Sequence, residues 1–151
     1  IKKGDLILAD VGAKYGGYLS DMTRMAFVGD PPEKIRKMYR AATMATDAAI
    51  EAIASGVRIC DIYKAGVDTL KREYGEAPPI DRIGHGLGMD IHEPPNIGSK
   101  VTDTLKPGMV LTIEPLIYGP DGTMFAEDVV CVTEKGYEDY TYIQKDWWIV
   151  R

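Results

Sequence analysis

The stretch Ile113–Asp128, IEPLIYGPDGTMFAED, contains a turn signal between two apolar, β-favouring runs. Proline presets φ at the first central position of a turn, and the Asp-Gly that follows tolerates the remaining turn conformations. With Pro120 and Asp121 as the central residues, a regular hairpin places Glu114 directly opposite Glu127. Two carboxylates in that position repel each other, so a fold that keeps both favours a cation between them. We predict the two strands of this hairpin as Val110 to Tyr118 and Glu127 to Thr133. The register holds only if neither strand contains a β-bulge.

A second hairpin repeats this arrangement near the start of the chain. Its predicted strands are Leu6–Val11 and Leu19–Val28. The first is a nearly unbroken apolar run, which is typical of a strand buried on both faces. A turn centred just before Gly16 places Asp10 opposite Asp21. The chain therefore presents two hairpins, each with a pair of opposed acids.

Each of these acids, taken alone, also has a structural explanation. An ion pair or a turn cap accounts for many single carboxylates, and Arg24 is a candidate partner for Asp21. Two opposed pairs weaken that explanation, because it needs two separate buried cations from a chain with 18 Lys and Arg.

Between the hairpins, the apolar spacing predicts two amphipathic helices. The first runs from Glu33 to about Ser55, with Asp30 as a candidate cap, and Gly56 ends it. The second runs from near Asp61 to about Tyr74, and Gly75 ends it.

The chain has only two histidines, and they lie seven residues apart in the segment GHGLGMDIHEPP. Glycine on both sides of His85 lets another backbone or a ligand approach closely. His92 does not start a zinc-protease HExxH motif, because the prolines after Glu93 forbid the required helix. The GHGLG segment lacks the lysine of a phosphate-binding loop. For His92 the residues alone leave a hydrogen-bonded core role and a ligand role equally open.

Composition limits the class of protein further. The chain has 151 residues, of which 45% are hydrophobic and 27% are charged, which suits one soluble globular domain. A net charge of −5 argues against nucleic acid or an anionic membrane as partner. The sequence shows neither a bilayer-spanning apolar run nor a signal-peptide pattern. Cys60 and Cys131 lack CxxC spacing, which predicts reduced core thiols in a cytoplasmic protein.

Together these residues supply four carboxylates and one imidazole: Asp10, Asp21, Glu114, Glu127 and His85. One divalent ion would leave a charge of about −2 on such a site, whereas two would neutralise it. Oxygen-rich ligation with one nitrogen suits Mn²⁺, Co²⁺, Fe²⁺ or Zn²⁺. A dinuclear site, with metals roughly 3.5–4 Å apart, can hold a bridging hydroxide and polarise a carbonyl. That chemistry hydrolyses an amide or an ester.

The order of these motifs resembles the M24 metallopeptidases, which include proline dipeptidase, Xaa-Pro aminopeptidase and methionine aminopeptidase. The resemblance runs from about Leu6 to Gly136. Its segments are DVG at 10–12, SDMTR at 20–24, GHGLG at 84–88, HEP at 92–94, TIEP at 112–115 and ED at 127–128. It implies the α+β pita-bread fold, a curved antiparallel sheet flanked by helices. Residues 1–151 would be the C-terminal portion of a single catalytic domain, whose N-terminal half, with a further substrate-facing histidine, would precede Ile1.

The resemblance also implies a role for each metal ligand. Asp10 resembles the bidentate ligand of one metal ion. Asp21 and Glu127 resemble the ligands that bridge both ions. His85 and Glu114 would complete the coordination of the other ion.

Two residues resemble catalytic groups, and two others bear on the substrate. Glu114 resembles the residue that shuttles the proton of the attacking water, and His92 the histidine that hydrogen-bonds the scissile carbonyl or tetrahedral intermediate. Asp128 after Glu127 is closer to the proline-specific members than to methionine aminopeptidases. Those members usually carry an arginine two residues before the last glutamate, where this chain has Phe125.

The resemblance therefore implies a homodimeric exopeptidase that cleaves Xaa-Pro peptides with two divalent metal ions, and the cysteines predict that it is cytoplasmic. Two alternatives stay open at the level of sequence. The same metal site could act on a small non-peptide amide, which the Phe125 departure permits. A metal-free binding module on the same fold is the other, since folds are reused for unrelated functions.

Overall fold

The computed structural model describes residues 1–75, 80–141 and 143–150. Within these ranges the chain forms two helices and twelve strands. Their bounds are β1 Leu6–Val11, β2 Lys14–Tyr15, β3 Tyr18–Leu19, β4 Met22–Val28, α1 Glu33–Glu51, α2 Ile59–Tyr74, β5 Arg82–Gly86, β6 Glu93–Gly98, β7 Val110–Ile113, β8 Leu116–Gly119, β9 Gly122–Phe125, β10 Asp128–Thr133, β11 Gly136–Asp139 and β12 Trp148–Val150.

The strands form one five-stranded sheet, one three-stranded sheet and two hairpins. The five-stranded sheet has the order β11-β10-β7-β5-β6 and is antiparallel throughout. The three-stranded sheet has the order β1-β4-β12, with β12 parallel to β4. Helices α1 and α2 pack against each other and bury apolar side chains of β7 and β10, such as Ile113 and Val130, beneath them. The predicted α+β class is confirmed.

The register predicted for the Ile113–Asp128 hairpin is correct. Gly119 pairs with Gly122 in β8 and β9, and Ile113 pairs with Asp128 in β7 and β10, which sets Glu114 opposite Glu127. The strand predicted as Val110 to Tyr118 is wrong, however, because the ladder is interrupted at Glu114 and the segment forms β7 and β8, whereas the strand predicted as Glu127 to Thr133 is β10 and begins one residue later. Pro115 has no N–H to donate. The Glu114 N–H donates to the carbonyl of Ile83 at 2.8 Å, so this backbone turns towards β5.

The register predicted for the first hairpin is wrong by two residues. Gly16 and Gly17 have φ of 57° and 93°, so they are the central residues of a turn that needs positive φ at both positions. Asp10 therefore pairs with Thr23, and Asp21 lies in the break between β3 and β4. A shift of two residues leaves side chains on the face where they were expected, because the strand period is two.

Other predictions for this part of the chain need smaller corrections. Strand β1 has the predicted bounds but is not buried on both faces: Leu8 and Val11 are 41% and 49% exposed, and β1 is the edge of its sheet in the described chain. Helix α1 ends at Glu51, and its N-cap is Pro32. The predicted cap Asp30 pairs instead with Arg36, because a guanidinium one turn into the helix reaches back to it.

Cys60 and Cys131 are unpaired, as predicted, but each is half-buried and not a core residue. Within the residues described, neither helix has the length and apolar character needed to cross a membrane.

Candidate metal centre

An irregular strand brings His85 into the centre of the sheet. Gly84, with φ of 156°, lies so close to β7 that a Cβ there would be 2.0 Å from the carbonyl oxygen of Thr112. The His85 N–H donates to Thr112 Oγ1 at 3.1 Å, and the pairing of β5 with β6 shifts register on both sides of His85. The local sequence GHG therefore provides the close approach that buries this imidazole.

The hydrogen bond at Nδ1 decides which ring nitrogen of His85 is available. Nδ1 lies 2.9 Å from the carbonyl oxygen of Gly86, which can only accept, so Nδ1 carries the proton. In the neutral ring Nε2 then presents its lone pair, 3.4 Å from Glu114 Oε1 and 3.8 Å from Asp21 Oδ2. Burial lowers the pKa of His85, which favours this neutral form. A histidine with one nitrogen hydrogen-bonded to a carbonyl and the other unprotonated is the usual form of a metal ligand.

The carboxylates converge on the same nitrogen. One ligand atom from each of Asp21, His85 and Glu127 lies within 4.8 Å of the others. Burial, followed by repulsion from Glu114 and Asp21, raises the pKa of Glu127 to about 8. Burial raises the pKa of Glu114 to about 7, although the positive charge of Arg82 opposes this shift. Burial, followed by the negative charge of Asp10, raises the pKa of Asp21. Without a cation, burial first and mutual repulsion second favour the protonated, neutral forms of these carboxyl groups.

This donor set fits a divalent metal ion. Carboxylate oxygens and one unprotonated imidazole nitrogen face each other at separations that a cation can bridge. The raised carboxyl pKa values mean that the ionised carboxylates are unfavourable here without a cation, and a bound cation would stabilise them.

The structure places the two remaining predicted residues at the edge of this group. Asp10 lies exposed on β1, close enough for its charge to raise the pKa values of Asp21, Glu114 and Glu127. His92 is exposed, and its ring packs edge-on against His85 with ring centroids 4.3 Å apart.

Sequence reasoning missed the residues that fasten this site. Arg24 is 3% exposed and pairs with Asp128 at 2.6 Å, and not with Asp21 as considered from the sequence. Lys145 forms a second ion pair with Asp128. Arg24 and Asp128 are both directly beside ligand-bearing segments in the sequence, but their pairing depends on contact between two hairpins about 100 residues apart.

A cleft of about 950 Å³ opens beside Asp21. Its walls come from the first hairpin, from the segment between Gly86 and Pro95, and from Val110 on β7 and Val129 on β10. Most of the lining is apolar, including Leu19, Met22, Leu87 and Val129. The cleft therefore offers room for an apolar group next to Asp21.

We expect the metal-free protein to lose stability, by on the order of 2 kcal/mol, between pH 6.5 and pH 8.5. The pKa values of Glu114 and Glu127 are raised on folding from 4.5 to about 7 and about 8, so stability is highest below pH 4.5 for these groups and is lost as pH rises through the folded values. His85, whose pKa is lowered, acts only below its unfolded value of 6.5 and does not contribute in this window. Urea unfolding in the presence of a chelator measures the change.

Glu127→Gln is the control for this pH dependence, since it removes the larger titration and should flatten the profile. A wild-type protein whose stability stays constant or rises over this range would contradict the prediction.

The fold and this donor set define a class: α+β proteins with a carboxylate-rich site that fits a divalent metal. A model of metallopeptidase family M24 matches residues 1–134. The chain belongs to this family, which uses divalent metal ions, and the predicted resemblance is confirmed.

Similar proteins agree with this assignment. Xaa-Pro dipeptidase of Pyrococcus furiosus is 40% identical over 148 residues, which are 97% of this chain and 42% of the dipeptidase. The structure of Xaa-Pro dipeptidase from Bacillus anthracis matches with a TM-score of 0.93 and 35% identity, over 99% of this chain and 42% of that one. X-Pro aminopeptidase from Thermotoga maritima matches with a TM-score of 0.93 and 28% identity, over 99% and 43%. These neighbours confirm the predicted pita-bread fold, and the chain spans about two-fifths of their length.

Proposed function

We propose that this chain is the metal-binding, C-terminal portion of the catalytic domain of an exopeptidase that cleaves Xaa-Pro peptides. The observation that carries the proposal is the unprotonated Nε2 of His85, which faces carboxylates of Asp21, Glu114 and Glu127 at the edge of an apolar cleft. Relatives named Xaa-Pro dipeptidase match nearly the whole chain and support the substrate class.

The proposed site holds two divalent ions. The proposed ligands are Asp10, Asp21, His85, Glu114 and Glu127. Two ions neutralise the four carboxylates, whereas one leaves a residual charge of about −2 in a partly buried site. When bound, such ions polarise a substrate carbonyl and make water a competent nucleophile near neutral pH.

The proton chemistry is assigned to Glu114. Burial raises the pKa of its carboxyl to about 7 in the metal-free protein, and a carboxylate beside the attacking water is a group that can accept its proton and return it. In the proposed reaction Glu114 takes a proton from the attacking water and passes it to the leaving nitrogen. In the same proposed reaction His92, which is exposed and packs against His85, donates a hydrogen bond to the carbonyl oxygen on which negative charge develops.

One observation favours a second candidate, the hydrolysis of another small amide at the same site. Phe125 occupies the position where proline-specific relatives usually carry arginine, and it is buried in β9 and only 8% exposed. This position therefore offers no cation for the carboxylate of a dipeptide.

The test combines metal titration with a substrate panel. We expect the full-length protein that contains this portion to bind about two Mn²⁺ or Co²⁺ ions and to cleave Xaa-Pro dipeptides or longer Xaa-Pro peptides in preference to Met-peptides and small amides. Glu114→Ala should lower turnover by at least about 100-fold, the scale of a lost general base. Glu134→Ala, at an exposed position on a turn, is the matched control and should change nothing.

Failure of the wild-type protein to bind a divalent ion, or full turnover by Glu114→Ala, would refute the proposed function. Turnover of small amides alone would favour the second candidate. The proposed homodimer is tested separately, by sedimentation of the same protein.

A further inference from the structure

The first hairpin and the second are joined by a bridge that the proposed chemistry does not use. Thr23, on β4, and Glu127 form an isolated antiparallel bridge in which the Glu127 N–H donates to the Thr23 carbonyl at 3.1 Å. The side chains repeat the link, because Thr23 Oγ1 donates to Glu127 Oε2 at 2.9 Å. Both residues are buried, Thr23 at 0% and Glu127 at 2% exposure.

Arg24 fixes the backbone on both sides of this bridge. Its guanidinium Nη1 donates to the carbonyls of Thr23 and Glu127, at 2.9 and 2.8 Å. The guanidinium also donates to Asp128 Oδ1 at 2.6 Å and to the carbonyls of Ile143 and Gln144 at 2.7 and 3.1 Å. A planar guanidinium with this many acceptors has little freedom to move, so the two segments are held at a set spacing.

The hydroxyl of Thr23 restrains the terminal side-chain torsion of Glu127, which is otherwise free to vary. The terminal torsion of a glutamate is broad, so a carboxylate without a partner samples many orientations. An ionised carboxylate only accepts hydrogen bonds, and the Thr23 hydroxyl supplies a donor to one of its oxygens. The plane of the Glu127 carboxylate, and with it the direction of the other oxygen, is thereby restrained. Hydrogen-bond partners of this kind orient metal ligands, and their loss typically costs 10–100-fold in metal affinity.

We propose that Thr23 is a positioning residue whose hydroxyl orients the Glu127 carboxylate towards a divalent cation, on a backbone spacing held by the Arg24–Asp128 pair. This inference rests on the proposed metal site. The inference adds Thr23 to the proposed metal site as a residue that contacts neither metal nor substrate and acts only through Glu127.

The test compares the affinity of the purified protein for Co²⁺, by calorimetric titration and by the visible absorption of the bound ion. Thr23→Val keeps the shape of the side chain and removes the hydroxyl, so we expect a 10–100-fold loss of affinity and a changed absorption spectrum. Thr23→Ser restores the hydroxyl and should bind within about threefold of the wild type. Thr69→Val, which makes the same change at a buried position on α2, is the matched control and should bind normally.

Chemical unfolding of each metal-free variant separates orientation from stability. Wild-type affinity and spectrum in a folded Thr23→Val variant would overturn the inference and leave the metal site standing. If Thr23→Val does not fold, Thr23→Ala and Thr23→Ser make the same comparison, and equal affinities would overturn it. A wild-type protein without Co²⁺ affinity would refute the metal site itself, and this inference with it.

Discussion

An Asp128→Ala variant is expected to lose about 3–5 kcal/mol of stability, which is a large part of what a domain of this size has. Asp128 is fully buried at 0% exposure, and it forms ion pairs with both Arg24 and Lys145. Removal of the carboxylate leaves the buried guanidinium of Arg24 without its counter-ion. The free energy of unfolding in urea, measured with the chelator present, gives the size of the effect.

The control for this prediction is another Arg–Asp pair in the same chain. Asp30 pairs with Arg36 at the surface, where the aspartate side chain is 89% exposed. Water screens that pair, so Asp30→Ala should cost less than about 1 kcal/mol. A loss from Asp128→Ala as small as that from Asp30→Ala would show that the buried pair contributes no more than a surface one.

Replacing both partners of the buried pair should not restore stability. A simple ion pair can often be exchanged for apolar side chains without loss. Arg24, however, also donates to backbone carbonyls, including those of Thr23 and Glu127. These acceptors would be left without a donor in an Arg24→Met/Asp128→Leu protein, and buried unsatisfied carbonyls are costly.

A Gly84→Ala variant is expected to cost about 4 kcal/mol or more, from two causes that add. The new Cβ would lie 2.0 Å from the carbonyl oxygen of Thr112, so strands β5 and β7 must separate. The φ of 156° is also one that residues with a side chain rarely adopt. Because His85 follows directly, the variant that does fold should also bind divalent metal more weakly.

Gly119→Ala is the matched control, since a Cβ at Gly119 would meet no atom within 4 Å. It should unfold within about 0.5 kcal/mol of the wild type, as surface changes usually do. A Gly84→Ala protein with wild-type stability would contradict this prediction. It would mean that β5 and β7 can move apart at no cost in free energy, although the His85 N–H donates a hydrogen bond to Thr112 between them.

Local signals in the sequence were sufficient for most of the secondary structure. The Pro-Asp-Gly turn set the pairing of Glu114 with Glu127, because a short hairpin fixes its register through the turn itself. The first hairpin was wrong by two residues because the Gly16-Gly17 pair, and not Tyr15, supplies the positive φ values at its centre. Helix α1 ends at Glu51, four residues before the predicted end at Ser55. The end of a helix is the feature that a periodic pattern predicts least well.

The candidate site divides in a similar way. The chemical nature of its donors followed from composition and spacing, since the chain offers two histidines and two hairpins that each carry two acids. The tautomer of His85, the raised pKa values of Glu114 and Glu127, and the partners of Arg24 did not follow. Each of these depends on burial and on contacts between segments far apart in the chain.

The α+β class followed from the resemblance to the M24 metallopeptidases, whereas the residues by themselves determined the hairpin that opposes Glu114 to Glu127 and the set of groups suited to a metal. These depend on turn chemistry, residue period and side-chain type, which are local properties. Only the tertiary structure decided that Asp128 partners Arg24, that Thr23 bridges to Glu127 and that β1 is exposed. The physical reason is that charge pairing, hydrogen bonding across sheets and burial are set by which segments meet in space, and no local pattern records that.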